Sequence, residues 1–261
     1  MKQARPKVAV YKFSSCDGCQ LAILCLEDEL LTLAEKVDIA NFLEARSRVV
    51  DGPYDITFVE GSITTEEERE RIRRIRENSK YLVAIGACAV SGGIQALRNW
   101  IHVDAFVQAI YATPEHIHTL ATSTPIADHV HVDLELSGCP VNKRQLLTVI
   151  ASLLRGRIPD VPPHAVCIDC KLNGTPCVMV AQDVVCLGPL TRTGCNALCP
   201  SFGRGCYGCF GPSDMSKPET LAEHLKGRRT ATPEIIRRLR GINGWSPKFR
   251  AATEKLEKTT P

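Results

Sequence analysis

Residues 7–19, KVAVYKFSSCDGC, set a short apolar run directly against a pair of cysteines two residues apart. Val8, Val10 and the flanking aromatics give residues 7–13 the composition of a strand, and the Ser, Asp and Gly that follow close it. Residues 55–59 (DITFV) and 81–85 (YLVAI) are two more such runs, and residues 129–136 (HVHVDLEL) alternate apolar with polar as an outer strand does. Helical patterns lie between them. Residues 20–33 carry apolar side chains on every side, which predicts a well-buried helix. Residues 65–78 are highly charged with Ile72 and Ile75 on one face, and Thr64-x-x-Glu67 reads as a capping box at their start. Pro140 suits the first turn of a helix running through Leu146, Leu147, Ile150 and Leu154. Strands alternating with helices predict an α/β fold, a parallel sheet covered on both faces.

The chain has thirteen cysteines. Upstream are Cys16, Cys19, Cys88 and Cys139, each expected just past the carboxyl end of a strand, where open α/β sheets bind their ligands. Structural thiols more often lie inside strands, so this placement favours ligation. Gly18, Gly86 and Gly138 beside them allow close approach of the backbone to an inorganic core. Downstream the spacing is Cys167-x2-Cys170-x6-Cys177-x8-Cys186, then Cys195-x3-Cys199-x6-Cys206-x2-Cys209. Twelve thiols in three groups of four are the arithmetic of three iron–sulfur clusters. Zinc remains the alternative, since Cys-x2-Cys pairs suit it too, although lone Cys88 and Cys139 fit no zinc-ribbon spacing.

Composition excludes several other classes. With 261 residues, 44% of them hydrophobic, the chain can build a substantial core, unlike small secreted disulfide scaffolds. The start MKQARPKVAVYKFSSC has no apolar signal core and no stretch is long enough to cross a bilayer. A reducing, cytoplasmic location without membrane insertion is expected. A net charge of +3 and 5% aromatic content argue against nucleic acid.

Residues 156–163 (GRIPDVPP) read as a linker. The cysteine-rich segment beyond is poor in periodic apolar residues and is expected to depend on its metal centres to fold. After Pro212 the tail turns polar and basic, with helix starts at Ser216-x-x-Glu219, Thr232-Pro233 and Ser246-Pro247.

The fragments SSCDGCQLAIL, VEGSI, GACAVSGGI, SGCP and CLGPLTRTGCNALCPSFGRGCYGCFGP together resemble the small, electron-transferring subunit of nickel–iron hydrogenases. The resemblance spans nearly the whole chain to about Pro212 and is strongest to the cytoplasmic, cofactor-coupled group that includes the sulfhydrogenase delta subunits. The related quinone-reductase subunit of respiratory complex I shares the flavodoxin-like half, but has adjacent paired cysteines and no second cysteine domain. The resemblance implies a flavodoxin-like domain over residues 1–155, then a small irregular iron–sulfur domain over residues 156–261. It makes Cys16, Cys19, Cys88 and Cys139 ligands of a proximal four-iron cluster. Cys167, Cys170, Cys177 and Cys186 would hold the distal cluster, and Cys195, Cys199, Cys206 and Cys209 the medial one. Uptake enzymes of the family use one histidine at the distal cluster and a three-iron medial cluster. Here cysteines stand at both points, Cys199 supplying the fourth medial thiolate.

The implied function is electron transfer, with no catalytic residue in this chain. The nickel–iron centre would sit in a large subunit, and FAD in diaphorase-type subunits carrying flavin and iron–sulfur groups and reducing NAD(P). A ferredoxin- or deazaflavin-linked complex is the alternative, as is a zinc-holding protein scaffold. The large subunit is expected on loops 16–19, 61–64, 86–92 and 138–141, over Ala87, Ala89, Val90, Gly92, Gly93 and Ile94, so that bulk at Gly92 blocks assembly. The charged stretch 66–76 should stay in water. Cys25, on the helix after Cys19, is expected to be a packed core thiol. His164, three residues before Cys167, imitates a ligand position but is not needed as one; His116/His118 and His129/His131 fit ordinary alternation. Glu60 in VEGSI either faces the proximal site or bonds a helix start.

Overall fold

In a computed structural model that describes residues 5–259, the chain divides into two compact units, 1–161 and 162–261. The first contains β1 (Lys7–Lys12), α1 (Gly18–Leu24), α2 (Asp28–Lys36), β2 (Asp38–Asn41), β3 (Tyr54–Glu60), α3 (Glu66–Glu77) and β4 (Ser79–Ile85). It continues with α4 (Gly86–Ser91), a 3-10 helix (Ile94–Trp100), α5 (Val103–Ile110), β5 (Leu134–Leu136) and α6 (Lys143–Leu154). The strands pair in parallel in the order β2-β1-β3-β4-β5, with Val10 opposite Phe58 and Phe58 opposite Val83. This is the flavodoxin order, with the direction of winding switching between β1 and β3. Val8, Val10, Phe58, Val83 and Ile85 pack on one side against Ile23, Leu146 and Ile150. Leu82, Ala84 and Val59 pack with Ile72, Ile75 and Ile126 in a separate cluster. Period-2 side chains thus serve two buried layers, which explains why these strands read as continuous apolar runs.

Several local expectations are corrected. Residues 20–33 form two helices, because the chain breaks after Cys25 and turns the fully buried Leu26 into the core. No residue of α2 is fully buried. The capping box lies one residue later than read: Glu68 N–H donates to Thr65 Oγ1 and Thr65 N–H donates to Glu68, each at 3.2 Å. Strand β2, only DIAN, has too few apolar residues to be legible. Residues 129–136 pair with β4 only from Leu134, since Asp133 Oδ2 takes the Leu82 N–H at 2.7 Å and the chain before it forms a 3-10 turn at Ile126–Asp128. Pro140 lies ahead of α6, whose N-cap is Asn142.

The second unit contains α7 (Val166–Leu172), α8 (Val178–Ala181), α9 (Leu198–Ser201), α10 (Pro218–Gly227), α11 (Thr232–Leu239) and α12 (Pro247–Lys258). The last three are the helices expected near residues 216, 232 and 246, and each opens with Pro in its first turn, but the N-cap of α10 is Lys217 and not Ser216. Their buried faces supply Leu221, Leu225, Ile235, Leu239, Phe249 and Leu256 to one core with Val166, Val178, Leu187 and Leu190. The cysteine segment is therefore not short of apolar surface as its sequence suggests: the polar-looking tail provides it.

Candidate metal centres

The parallel sheet brings the four upstream cysteines to one edge. Cys16 follows β1, Cys19 sits in the first turn of α1, Cys88 in α4 directly after β4, and Cys139 in the loop between β5 and α6. They lie close enough for charge on one thiol to be felt at the others: Cys19 by Cys88 and Cys139, and Cys88 by Cys139 and Cys16. Cys19 is buried, Cys88 half-buried, and Cys16 and Cys139 exposed, so the group opens outward at the carboxyl edge. Burial pushes the Cys19 thiol up and that of Cys88 up to about 11. These thiols are neutral near pH 7 unless a positively charged centre takes their protons' place.

The backbone around them is cut close. Gly86 has φ +84°, and a Cβ there would stand 2.4 Å from Cys19 Sγ; at Gly93, with φ +60°, it would stand 2.5 Å from Cys88 Sγ. Only glycine suits such positions. The Val141 N–H points at Cys19 Sγ at 3.5 Å, the kind of N–H···S contact that stabilises a bound thiolate. Gln95 joins Cys88 to the first loop, its Oε1 3.3 Å from the thiol and its Nε2 donating to Ser14 O at 2.9 Å.

Glu60 fits both of its expected roles. It is 2% exposed at the end of β3, accepts the Cys19 N–H at 2.9 Å, and its charge is felt at Cys19, Cys88 and Cys139. Burial holds its carboxyl above the ordinary range, partly offset by the hydrogen bond from Cys19.

Downstream, Cys167 feels Cys186, Cys170 and Cys177, which joins one set of four. Cys199 feels Cys195, and Cys206 feels Cys186 and Cys195. Cys186 stands between the two sets: its sulfur receives N–H groups from Gly188 at 3.4 Å and Cys206 at 3.2 Å. Cys206 lies 3.4 Å from Thr191 Oγ1 and receives the Gly208 N–H at 3.5 Å, while burial pushes its thiol up to about 12. Asn243 secures the loop of Cys209 by donating to the carbonyls of Gly208 and Cys209 at 2.9 and 3.0 Å.

Asp169 escaped sequence reasoning. Buried between Cys167 and Cys170, it pairs with His164 Nε2 at 2.9 Å and accepts the Thr193 hydroxyl, bracing α7 against the next segment. A carboxylate inside the apolar CIDC helix was the available signal. His164 is engaged by this pair. His129 bonds Thr124 Oγ1 at 2.7 Å and His131 faces Asp133 at 3.7 Å, so neither sits at the thiols.

Cys25 is exposed at the end of α1, not packed in the core, because Leu26 takes the inward position after the break. Cys25→Ala should therefore leave iron content unchanged and shift stability by less than about 0.5 kcal/mol, as surface changes do. Iron analysis and a denaturation curve check this, and loss of iron would move Cys25 into the upstream group. Of the expected partner-facing residues, Ala87, Ala89, Gly92 and Gly93 are buried within the first unit, Val90 is half-buried and Ile94 is exposed. A side chain at Gly92 would meet Ala96 Cβ at 2.8 Å and Ser123 O at 3.0 Å, so bulk there disturbs this chain itself.

Among the described residues, no three His, Cys, Asp or Glu side chains close on one single-ion position. A zinc site with Zn–S of about 2.3 Å needs its sulfurs about 3.8 Å apart. The upstream thiols are cradled by glycines and an N–H donor, a setting that suits an inorganic core held by thiolates.

A flavodoxin-order sheet that gathers thiols at its carboxyl edge, followed by a cysteine-rich second unit, defines an iron–sulfur oxidoreductase subunit. Residues 16–153 match the NADH ubiquinone oxidoreductase, 20 Kd subunit family. Over 92% of this chain and 100% of its own, the sulfhydrogenase 2 subunit delta of Pyrococcus furiosus is 36% identical. A vhu subunit of the F420-non-reducing hydrogenase of Methanocaldococcus jannaschii is 33% identical over 80% of this chain and 83% of its own. Among solved structures, a chain of an NAD+-reducing [NiFe]-hydrogenase in the H2-reduced state matches with a TM-score of 0.56 and 29% identity, covering 60% of this chain and 96% of that one. The chain belongs to the 20 Kd subunit family and, within it, to the small, electron-transferring subunits of nickel–iron-type hydrogenases.

Proposed function

We propose that this chain relays electrons through three four-iron clusters between the nickel–iron site of a large subunit and an NAD(P)-linked flavin partner, in the cytoplasm. Cys16, Cys19, Cys88 and Cys139 hold the proximal cluster, Cys167, Cys170, Cys177 and Cys186 the distal, and Cys195, Cys199, Cys206 and Cys209 the medial. The single observation that carries this reading is the gathering of four thiols, from three separate strand ends, at one sheet edge. The clusters, when bound, supply reversible one-electron chemistry. The protein's own residues orient them: N–H groups of Val141, Gly188, Cys206 and Gly208 face the sulfurs, and Glu60 sets the charge beside the upstream group. No described helix is long and apolar enough to cross a membrane.

The identity of the acceptor rests on the relatives. The NAD+-reducing structure supports an NAD(P)-linked acceptor, to which our reading adds diaphorase-type partners carrying FAD. The F420-non-reducing relative supports the same relay joined to an acceptor other than F420, and ferredoxin is our alternative acceptor. Anaerobically purified protein should be brown and carry about twelve iron atoms per chain with negligible zinc. About eight iron atoms would remove one set from the relay, and a colourless zinc protein would overturn the reading.

A further inference from the structure

Exposed apolar side chains scattered singly are ordinary on a protein surface; a group of them around one feature is not. Among the described residues of the second unit, five of the seven exposed large apolar side chains lie on or beside α7, α8 and α9. Ile168 sits between Cys167 and Cys170, Leu172 ends α7, Val180 follows Cys177 in α8, and Leu198 and Phe202 bracket Cys199. Leu172 is 78% and Phe202 77% exposed. Short distances join the three helices into one face. Asn173 Nδ2 donates to Asn196 at 3.2 Å, Thr175 and Ser201 hydroxyls lie 3.4 Å apart, and a Cβ at Gly203 would stand 3.8 Å from Gln182.

The charges at this face have one sign. Lys171 and Arg204 form no ion pair among the described residues, and the charge of Arg204 is felt at Cys199. Nearby carboxylates are taken: Asp169 is turned inward to His164 and Thr193, and Asp183 is held by Arg228. Over residues 162–261, fourteen Lys and Arg stand against eight Asp and Glu.

We propose that this thiol-bordered apolar face, edged by Lys171 and Arg204, is the docking surface for an acidic one-electron carrier protein. The inference rests on the relay reading above in its ferredoxin-linked form, with the carrier in place of the flavin partner, and adds where the electrons leave and what collects them. Hydrogen oxidation at the large subunit gives two protons and two electrons, and two carrier molecules each accept one electron here. Unpaired cations around an apolar centre attract and orient an acidic partner, raising its association rate.

The test uses the assembled hydrogenase complex under hydrogen, with a plant-type [2Fe–2S] ferredoxin as the acidic carrier and benzyl viologen as a small dye that needs no docking. Wild-type ferredoxin reduction should slow as salt rises. Lys171→Glu with Arg204→Glu should raise the KM for ferredoxin about tenfold, and Phe202→Ser should raise it at any salt. Both variants should keep the large subunit, their iron and their viologen turnover. An unchanged ferredoxin KM would overturn the surface, as would a wild type that reduces viologen but not ferredoxin. Loss of the large subunit in the double variant would assign the face to that interface instead. An iron-replete wild type that reduces neither acceptor would sink the relay reading, and the surface with it.

Discussion

Cys88→Ala should remove about four of about twelve iron atoms and abolish hydrogen-driven electron transfer, while the two downstream clusters stay loaded. Cys88 is one of four thiols from three strand ends, and each four-iron cluster needs all four sulfurs. Serine should not substitute: burial already pushes this thiol up to about 11, and a hydroxyl there gives up its proton far less readily. The loss will not come from misfolding. Cys88 lies in a short helix between the small buried residues Ala87 and Ala89, and Ala fits that helix. Spectroscopy of the downstream clusters and circular dichroism separate the two causes. Full iron content in Cys88→Ala would break the assignment of the upstream group. The exposed Cys25 is the internal control, since its removal should change none of these readings.

What was legible in the sequence follows from which forces act locally. Strands β1, β3 and β4 are buried on both sides and so appear as unbroken apolar runs, and their ends then locate Cys16, Glu60 and Cys88. Strand β2 was illegible because four residues, half of them polar, carry no period. Cys25 was misplaced because a helical wheel over residues 20–33 presumes one axis, while the chain uses Leu26 to turn a corner. The core of the second unit was missed because its apolar residues are spaced thinly along three amphipathic helices and meet only in space. Asp169 was invisible as a brace for the same reason: Thr193 is twenty-four residues away, and nothing local pairs them. Ligand-bearing residues announce themselves by type and spacing, whereas the groups that orient them do not.

Ile94→Glu should cost the chain its large subunit, whereas Arg73→Glu and Arg74→Glu should leave assembly intact. The upstream thiols open outward at the carboxyl edge, with Cys16 and Cys139 exposed, and electrons can enter there only if the donor centre sits close above them. Beside Cys88 the surface is unusually apolar for one facing water. Ile94 is 55% exposed, Ile101 56% and Ile110 68%, and α5, whose sequence is VDAFVQAI, buries only Val103 within the unit. A helix of that composition left uncovered marks a surface made for another protein. Obligate interfaces bury more than about 2,000 Å² and are apolar at their centres. A carboxylate placed there without a partner costs at least about 3 kcal/mol, about a hundredfold in Kd. Arg73 and Arg74 lie on the exposed side of α3, whose inward face is Ile72 and Ile75, so reversing their charge leaves the packed face of the helix untouched. Gel filtration of the co-expressed subunits reads the result directly. If Ile94→Glu stayed bound to the large subunit and Arg73→Glu did not, the docking face would lie over α3 and not at the cluster edge.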